Sequence, residues 1–98
     1  MHCLDAAFPV LKDRLKRWPL IKGHTPVQKM GGAAGSLWVK RDDETHAVYG
    51  GNKVRKLELI LGAARDRGIK RMVTFGAIGT HHGVATAYFA REAEHLSA

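Results

Sequence analysis

A glycine pair that runs straight into an amphipathic helix pattern constrains this chain more than any other feature. Gly50-Gly51-Asn52-Lys53 leads into Val54-Arg55-Lys56-Leu57-Glu58, and Leu57, Ile60, Leu61 and Ala64 recur at helical spacing ahead of Gly68. Residues three and four apart share one helix face, so the pattern predicts a helix that buries these four and ends near Gly68. The glycines allow close backbone approach where the helix begins. Lys53 stands at that beginning, where the first N–H groups add positive partial charge. A free lysine amine keeps its proton at neutral pH, with a pKa of about 10.4. It becomes a nucleophile when burial or like charge disfavours the cation, and Arg55 and Lys56 are close in sequence. Lys53 is therefore a candidate for reaction with a carbonyl. A lone lysine is more commonly a solvated surface group, and it is the flanking residues that set this one apart.

The rest of the chain reads as short elements. Leu4, Phe8, Leu11 and Leu15 follow helical spacing but Pro9 interrupts them, predicting a short helix after Pro9 with a loosely held lead-in. Residues 18–26 read as extended chain and turns, 31–36 as a flexible glycine-rich turn, 37–40 as a strand and 42–49 as a polar loop. Asp42, Asp43 and Glu44 fit a turn after a strand better than a metal or acid pair. Residues 71–75 read as a second strand and 76–83 as a loop. A second helix runs from 84 to about 95, with Val84, Ala87, Tyr88 and Arg91 along one side. Trp38 and Phe75 are expected in the core. The order strand, helix, strand, loop, helix points to a βαβ-type layered α/β arrangement. Neither internal repeats nor low-complexity segments occur.

The loop 76–83 is the second place where chemistry gathers. It joins a predicted strand to a helix start, where unpaired backbone N–H groups bind anions. Thr80 offers a hydroxyl there, as a nucleophile or base partner, or as a helix N-cap. His81 and His82 follow. Adjacent histidines rarely serve one metal ion well, and no Cys, Asp or Glu lies nearby at ligand spacing, so no metal site is expected. The glycine patterns at 50–54 and 76–79 match neither a nucleotide phosphate loop nor a dinucleotide fingerprint.

With 98 residues the chain can bury one modest core. Lys and Arg number 16 against 9 Asp and Glu, a net charge of +7. The basic residues are spread along the chain without interleaved aromatics, which favours solvated helix faces over a specific nucleic-acid partner. Binding of a partner chain or an anionic surface remains the non-catalytic alternative, that of a truncated remnant. Cys3 is the only cysteine, so no internal disulfide forms, in accord with a reducing compartment. No apolar run is long enough to cross a bilayer. The expectation is a soluble, cytoplasmic protein without a membrane partner.

Residues 37–58, and above all the stretch GGNK-x-RKLE from Gly50 to Glu58, resemble the signature of the pyridoxal-phosphate enzymes that include D-cysteine desulfhydrase and 1-aminocyclopropane-1-carboxylate deaminase. These belong to the tryptophan synthase β-like group, fold type II. His24-Thr25-Pro26-Val27 is similar to that group's entry segment, and Gly76-Ala77-Ile78-Gly79-Thr80-His81-His82 to its substrate-carboxylate loop. The resemblance covers most of 18–92. It implies a three-layer αβα fold of which this chain is an N-terminal portion truncated within the small domain. The lead-in and entry strand would occupy 1–49, and the cofactor-lysine helix and the start of the small domain 50–98. It further implies pyridoxal 5'-phosphate as cofactor, held by Lys53 as an imine and contacted by His81, while for Asn52 a part in orienting the cofactor and a turn role fit equally. A small amino-acid substrate would meet Thr80, His81 and His82, with Lys53 and Thr80 as catalytic residues. Full-length relatives are expected to be homodimers. The implied reaction is loss of sulfide and ammonia from D-cysteine to leave pyruvate. The alternative is opening of the cyclopropane amino acid to 2-oxobutanoate and ammonia. Relatives carry serine and asparagine where this chain has Thr80 and His81. A hydroxyl is thus retained, and a neutral imidazole can replace one amide donor. The relatives' phosphate loop and pyridine-facing residue lie further along and have no counterpart here, which implies weak or no turnover by these 98 residues alone.

Overall fold

The computed structural model describes residues 3–93. Helix α1 spans Cys3–Ala7, and Pro9, whose fixed φ suits a helix start, opens a single 3-10 turn, Pro9–Lys12. The helix expected after Pro9 is thus one tight turn, and regular α-helix precedes it. Arg17 then folds back to donate to Asp5 at 2.7 Å, anchoring α1 through an ion pair with little exposure.

Two short strands follow. β1, Val27–Lys29, pairs antiparallel with β2, Trp38–Lys40, in the register Val27↔Lys40, Gln28↔Val39 and Lys29↔Trp38. The glycine-rich link expected as a flexible turn contains a 3-10 turn, Gly32–Ala34. Val39 alone of the six strand residues is even half-buried. Trp38, expected in the core, is 60% exposed, with the Lys29 ammonium 5.9 Å from its ring. A hairpin with neither face covered gives the indole nothing to bury against.

The core lies between two helices. α2, Lys53–Asp66, buries Val54, Leu57, Leu61 and Ala64, and α3, His81–Glu92, buries Ala85, Phe89 and Ala90. Leu20 and Ala93 complete this cluster, and Trp18, Ile21, Tyr49, Met72 and Tyr88 pack around it. The predicted face of α2 is correct at Leu57, Leu61 and Ala64, but Ile60 lies at the rim, 40% exposed. The helix ends as its sequence indicates. Gly68 N–H bonds to Arg65 O and Ile69 N–H to Ala64 O, the paired bonds of a glycine-terminated helix. Gly62 lets the second half of α2 lie against the chain at Lys16 and Arg17, where any Cβ would collide with their backbone.

The predicted strand at 71–75 is not formed. Arg71 is an isolated bridge residue, and 72–75 carry no regular structure. Phe75, expected in the core, is 89% exposed. Helix α3 begins at His81 rather than at 84, because Thr80 caps it. Val84 and Ala87 lie on its exposed side, and the buried side is set one residue on. The expected helix end near 95 lies outside the described residues. The βαβ-type layering is therefore not formed among the described residues, which make a small mixed helix and strand unit consistent with a piece of an α/β fold. Among the described residues no helix is long and apolar enough to cross a membrane.

Candidate functional site around Lys53

Lys53 is the first residue of α2, and the backbone before it is held from three directions. Gly50 packs against Asp43 so closely that a Cβ would overlap the Asp43 carbonyl. Gly51 follows with φ 128°, a conformation L side chains avoid. Gly51 N–H donates to Asp42 O at 2.8 Å and to the buried Thr45 hydroxyl at 2.9 Å. That hydroxyl gives its one proton to the carbonyl oxygen of Gly51 (2.9 Å) or of Asp42 (3.1 Å). The polar loop expected at 42–49, with its 3-10 turn Asp42–Glu44, is thus a closed ring of bonds that sets where α2 begins.

Asp42 also carries the main ionic contact of the site. Arg55 donates to it through Nε at 3.0 Å and Nη2 at 2.8 Å, and the Thr25 hydroxyl donates at 3.0 Å. Thr25 in turn accepts from Lys40 at 2.7 Å and from Arg55 at 3.2 Å. The Arg55 hydrogen bonds, with help from Thr25, hold the Asp42 carboxyl down at about 2 against the opposing effect of burial, and Asp42 raises Arg55 in return. Reading Arg55 as a like charge beside Lys53 is therefore corrected, because its guanidinium turns to Asp42 and is compensated there. Glu58 has a similar structural task. Its Oε2 accepts Leu20 N–H at 3.0 Å and Ile21 N–H at 3.1 Å, and its backbone oxygen accepts Trp18 N–H at 2.8 Å.

Against this framework the Lys53 side chain stands apart. It is half-buried, and its amine makes neither hydrogen bond nor ion pair with the described residues. Asn52 precedes it in the N-cap position, exposed, with no capping bond from its side chain.

Thr80, His81 and His82 form the start of α3. The Thr80 hydroxyl accepts Gly83 N–H at 3.3 Å, which is the N-cap role considered for it. The N–H groups of His81 and His82 are left without a partner among the described residues, as first-turn amides are when no ligand is present. A residue absent from the predicted set, Tyr49, ties this end to the lysine segment. Its hydroxyl lies 3.2 Å from both Nδ1 and the carbonyl oxygen of His81. Where Tyr49 donates to Nδ1, the His81 ring keeps its proton on Nε2 and offers it outward. His46, also unforeseen, accepts Val48 N–H at 3.1 Å and meets the buried Phe89 edge-on at 4.9 Å, so it holds the loop against the core. A polar loop followed by Tyr was the available sequence signal for these two, but it does not specify their partners. Two clefts, of about 370 and 790 Å³, are lined by parts of 3–26 with Arg55 and Glu58 or with 43–47, and neither borders Lys53, Thr80, His81 or His82.

Comparison with known proteins adds an independent line. The chain is 41% identical over 86 residues to a protein of Pyrococcus abyssi provisionally named 1-aminocyclopropane-1-carboxylate deaminase, covering 84% of this chain and 26% of that protein. It is 46% identical over 77 residues to nocardicin C-9' epimerase of Nocardia uniformis subsp. tsuyamanensis, covering 78% and 24%. It is 37% identical over 84 residues to D-cysteine desulfhydrase of Yersinia pestis, covering 79% and 26%. The chain thus spans about a quarter of the length of the curated relatives it matches. No family model matches it, and no solved structure does.

Proposed function

We propose, from the premise that this chain belongs to the family of the proteins named 1-aminocyclopropane-1-carboxylate deaminase and D-cysteine desulfhydrase, that it carries the cofactor-bonding lysine of a pyridoxal-phosphate-dependent lyase or deaminase acting on a small amino acid. The observation that carries this reading is the Lys53 amine: half-buried, without a partner among the described residues, and fixed at the start of α2 while its neighbours Arg55 and Glu58 are both engaged.

The residues present fit such a cofactor. An amine that is not engaged in an ion pair is free to bond a carbonyl, and the two unpartnered amides of His81 and His82 suit an anionic group. When bound, pyridoxal phosphate supplies the aldehyde that a neutral amine captures and a ring that stores an electron pair. Lys53 would hold the cofactor and would also serve as the general base that takes a proton from the substrate. The α3 start, with Thr80, His81 and His82, receives the substrate carboxylate through backbone N–H groups. Asn52 and the His81 ring orient the cofactor, with the ring held by Tyr49. D-cysteine is the preferred substrate, and the cyclopropane amino acid is the alternative. Relatives bear both names, and one is named an epimerase.

Addition of pyridoxal phosphate followed by borohydride trapping and peptide mapping tests the assignment. The expected pyridoxyl tag lies on Lys53 and disappears in Lys53→Ala. A tag spread over other lysines, or unchanged in Lys53→Ala, refutes it. Release of sulfide from D-cysteine, against 2-oxobutanoate from the cyclopropane amino acid, decides between the two substrates in a preparation that turns over.

A further inference from the structure

The cleft of about 370 Å³ beside α2 has no part in the role given to Lys53. Arg17, Pro19, Ile21 and Lys22 line it, together with Arg55 and Glu58 of α2. Three of these carry positive charge and one negative, but their partners change that balance. Arg17 is paired with Asp5 at 2.7 Å, and Arg55 with Asp42 at 2.8 Å. The two charges left over are Glu58 and Lys22, the latter exposed and without a partner among the described residues. Glu58 is 8% exposed, and its Oε2 is engaged by the N–H groups of Leu20 and Ile21. Its Oε1 has no partner among the described residues. A buried carboxylate with one oxygen unclaimed favours a cationic group beside it. Arg17 has the opposite preference. Its Nη1 serves Asp5, whereas Nε and Nη2 are buried without partners. Those two nitrogens form the edge through which Arg55 grips the carboxylate of Asp42.

We propose that this cleft binds a free amino acid as its zwitterion, at a site separate from Lys53. Lys22 and the unclaimed edge of Arg17 receive the ligand carboxylate, Oε1 of Glu58 receives the ammonium, and Pro19 and Ile21 cover an aliphatic side chain. The charges decide against simpler ligands. With Arg17 and Arg55 compensated by their own partners, one cation and one anion remain. A plain anion gains Lys22 but meets Glu58, and a plain amine gains Glu58 but meets Lys22. A molecule that carries both charges satisfies each. The volume also suits a small guest, at the lower end of the range of about 300–1,000 Å³ for small-molecule sites. The inference does not depend on what Lys53 bonds, because the cleft does not border that residue.

The test is an NMR titration of the isotope-labelled 98-residue chain, without pyridoxal phosphate, with three compounds. They are L-leucine, 4-methylpentanoate, which lacks its ammonium, and 3-methylbutylamine, which lacks its carboxylate. L-leucine is expected to shift the amides of Ile21, Lys22 and Gly23 and the Nε–H signal of Arg17. Each single-charge analogue is expected to bind at least about tenfold more weakly. Lys22→Ala changes an exposed side chain, and Glu58→Gln keeps an acceptor for Leu20 and Ile21, so both variants should retain the circular dichroism of the parent. Each should lose at least about tenfold in affinity for L-leucine. Absence of any shift with L-leucine, equal binding of the three compounds, shifts confined to His81 and His82, or unchanged affinity in Lys22→Ala each overturns the proposal. No readout involves the cofactor, so failure here is separate from failure of the lysine assignment.

Discussion

Replacing Asp42 by Asn removes the ion pair that positions the start of α2, and the structure fixes both the sign and the size of the effect. Arg55 donates twice to this carboxylate and Thr25 once. Together they lower its pKa from the ordinary 3.8 to about 2. A carboxyl whose folded value is depressed contributes stability that is complete above its unfolded value and is lost as pH falls through the folded one. Here the window runs from about pH 4 down to about pH 2. At about 1.36 kcal/mol per pH unit, the gross contribution is roughly 2.4 kcal/mol. The pair is partly wet, with side-chain exposures of 28% for Asp42 and 40% for Arg55. Solvent screening therefore reduces the expected net effect to about 1 kcal/mol.

The assay is thermal unfolding followed by circular dichroism, for wild type and Asp42→Asn, in steps from pH 7 to pH 2. For a domain of this size a difference of about 1 kcal/mol corresponds to roughly 4–8 °C in Tm. That gap should persist from pH 7 to about 4 and largely close toward pH 2, where the wild-type side chain is losing its charge. It should narrow with added salt at pH 7. Other carboxylates titrate in both proteins and cancel in the comparison. A gap that is absent at pH 7, or that stays constant down to pH 2, refutes the account of Asp42.

Three further outcomes follow from the same framework. Glu58→Ala leaves the N–H groups of Leu20 and Ile21 without their shared acceptor and should cost about 2–3 kcal/mol, seen as a lower urea midpoint at unchanged slope. Glu58→Gln, which keeps an acceptor oxygen, should lose less. Gly62→Ala should destabilise by about 1–3 kcal/mol although alanine is the better helix former, because its Cβ meets the backbone of Lys16 and Arg17, and a raised Tm would contradict this packing. Thr80→Ala should cost about 1 kcal/mol by removing the cap on α3, and Thr80→Ser should restore most of it in the same melting experiment.

The parts of this fold that could be read in advance are those whose forces are local. The buried stripe of Leu57, Leu61 and Ala64 follows from helical spacing, the helix end from Gly68, and the cap from Thr80. Strands depend on partners. Val27–Lys29 became a strand only because Trp38–Lys40 lies beside it, and 73–75 did not, making no backbone bond to any described residue. The same dependence explains Trp38 and Phe75. Each is of a residue type that usually finds cover, and the described residues supply none. At the candidate site, the sequence pointed to Lys53 as a candidate but gave no sign of Tyr49. Its contact with His81 spans 32 positions in the chain, and no spacing rule joins residues so far apart.

The stretch from Gly50 to Glu58 divides its labour in a way that bears on the reading of Lys53. Gly50 admits the Asp43 backbone, and Gly51 supplies the turn. Arg55 grips Asp42, Val54 and Leu57 fill the core, and Glu58 holds the chain at Leu20 and Ile21. Each of these residues has a structural partner that accounts for its type at its position. Lys53 has none among the described residues, yet it sits in their midst, half-buried and on the best-braced turn of the helix. Burying part of a long cationic side chain costs conformational entropy and desolvation. Among the described residues no hydrogen bond or ion pair to its amine offsets that cost. The proposed capture of a carbonyl would account for a residue so placed, and the borohydride experiment tests it.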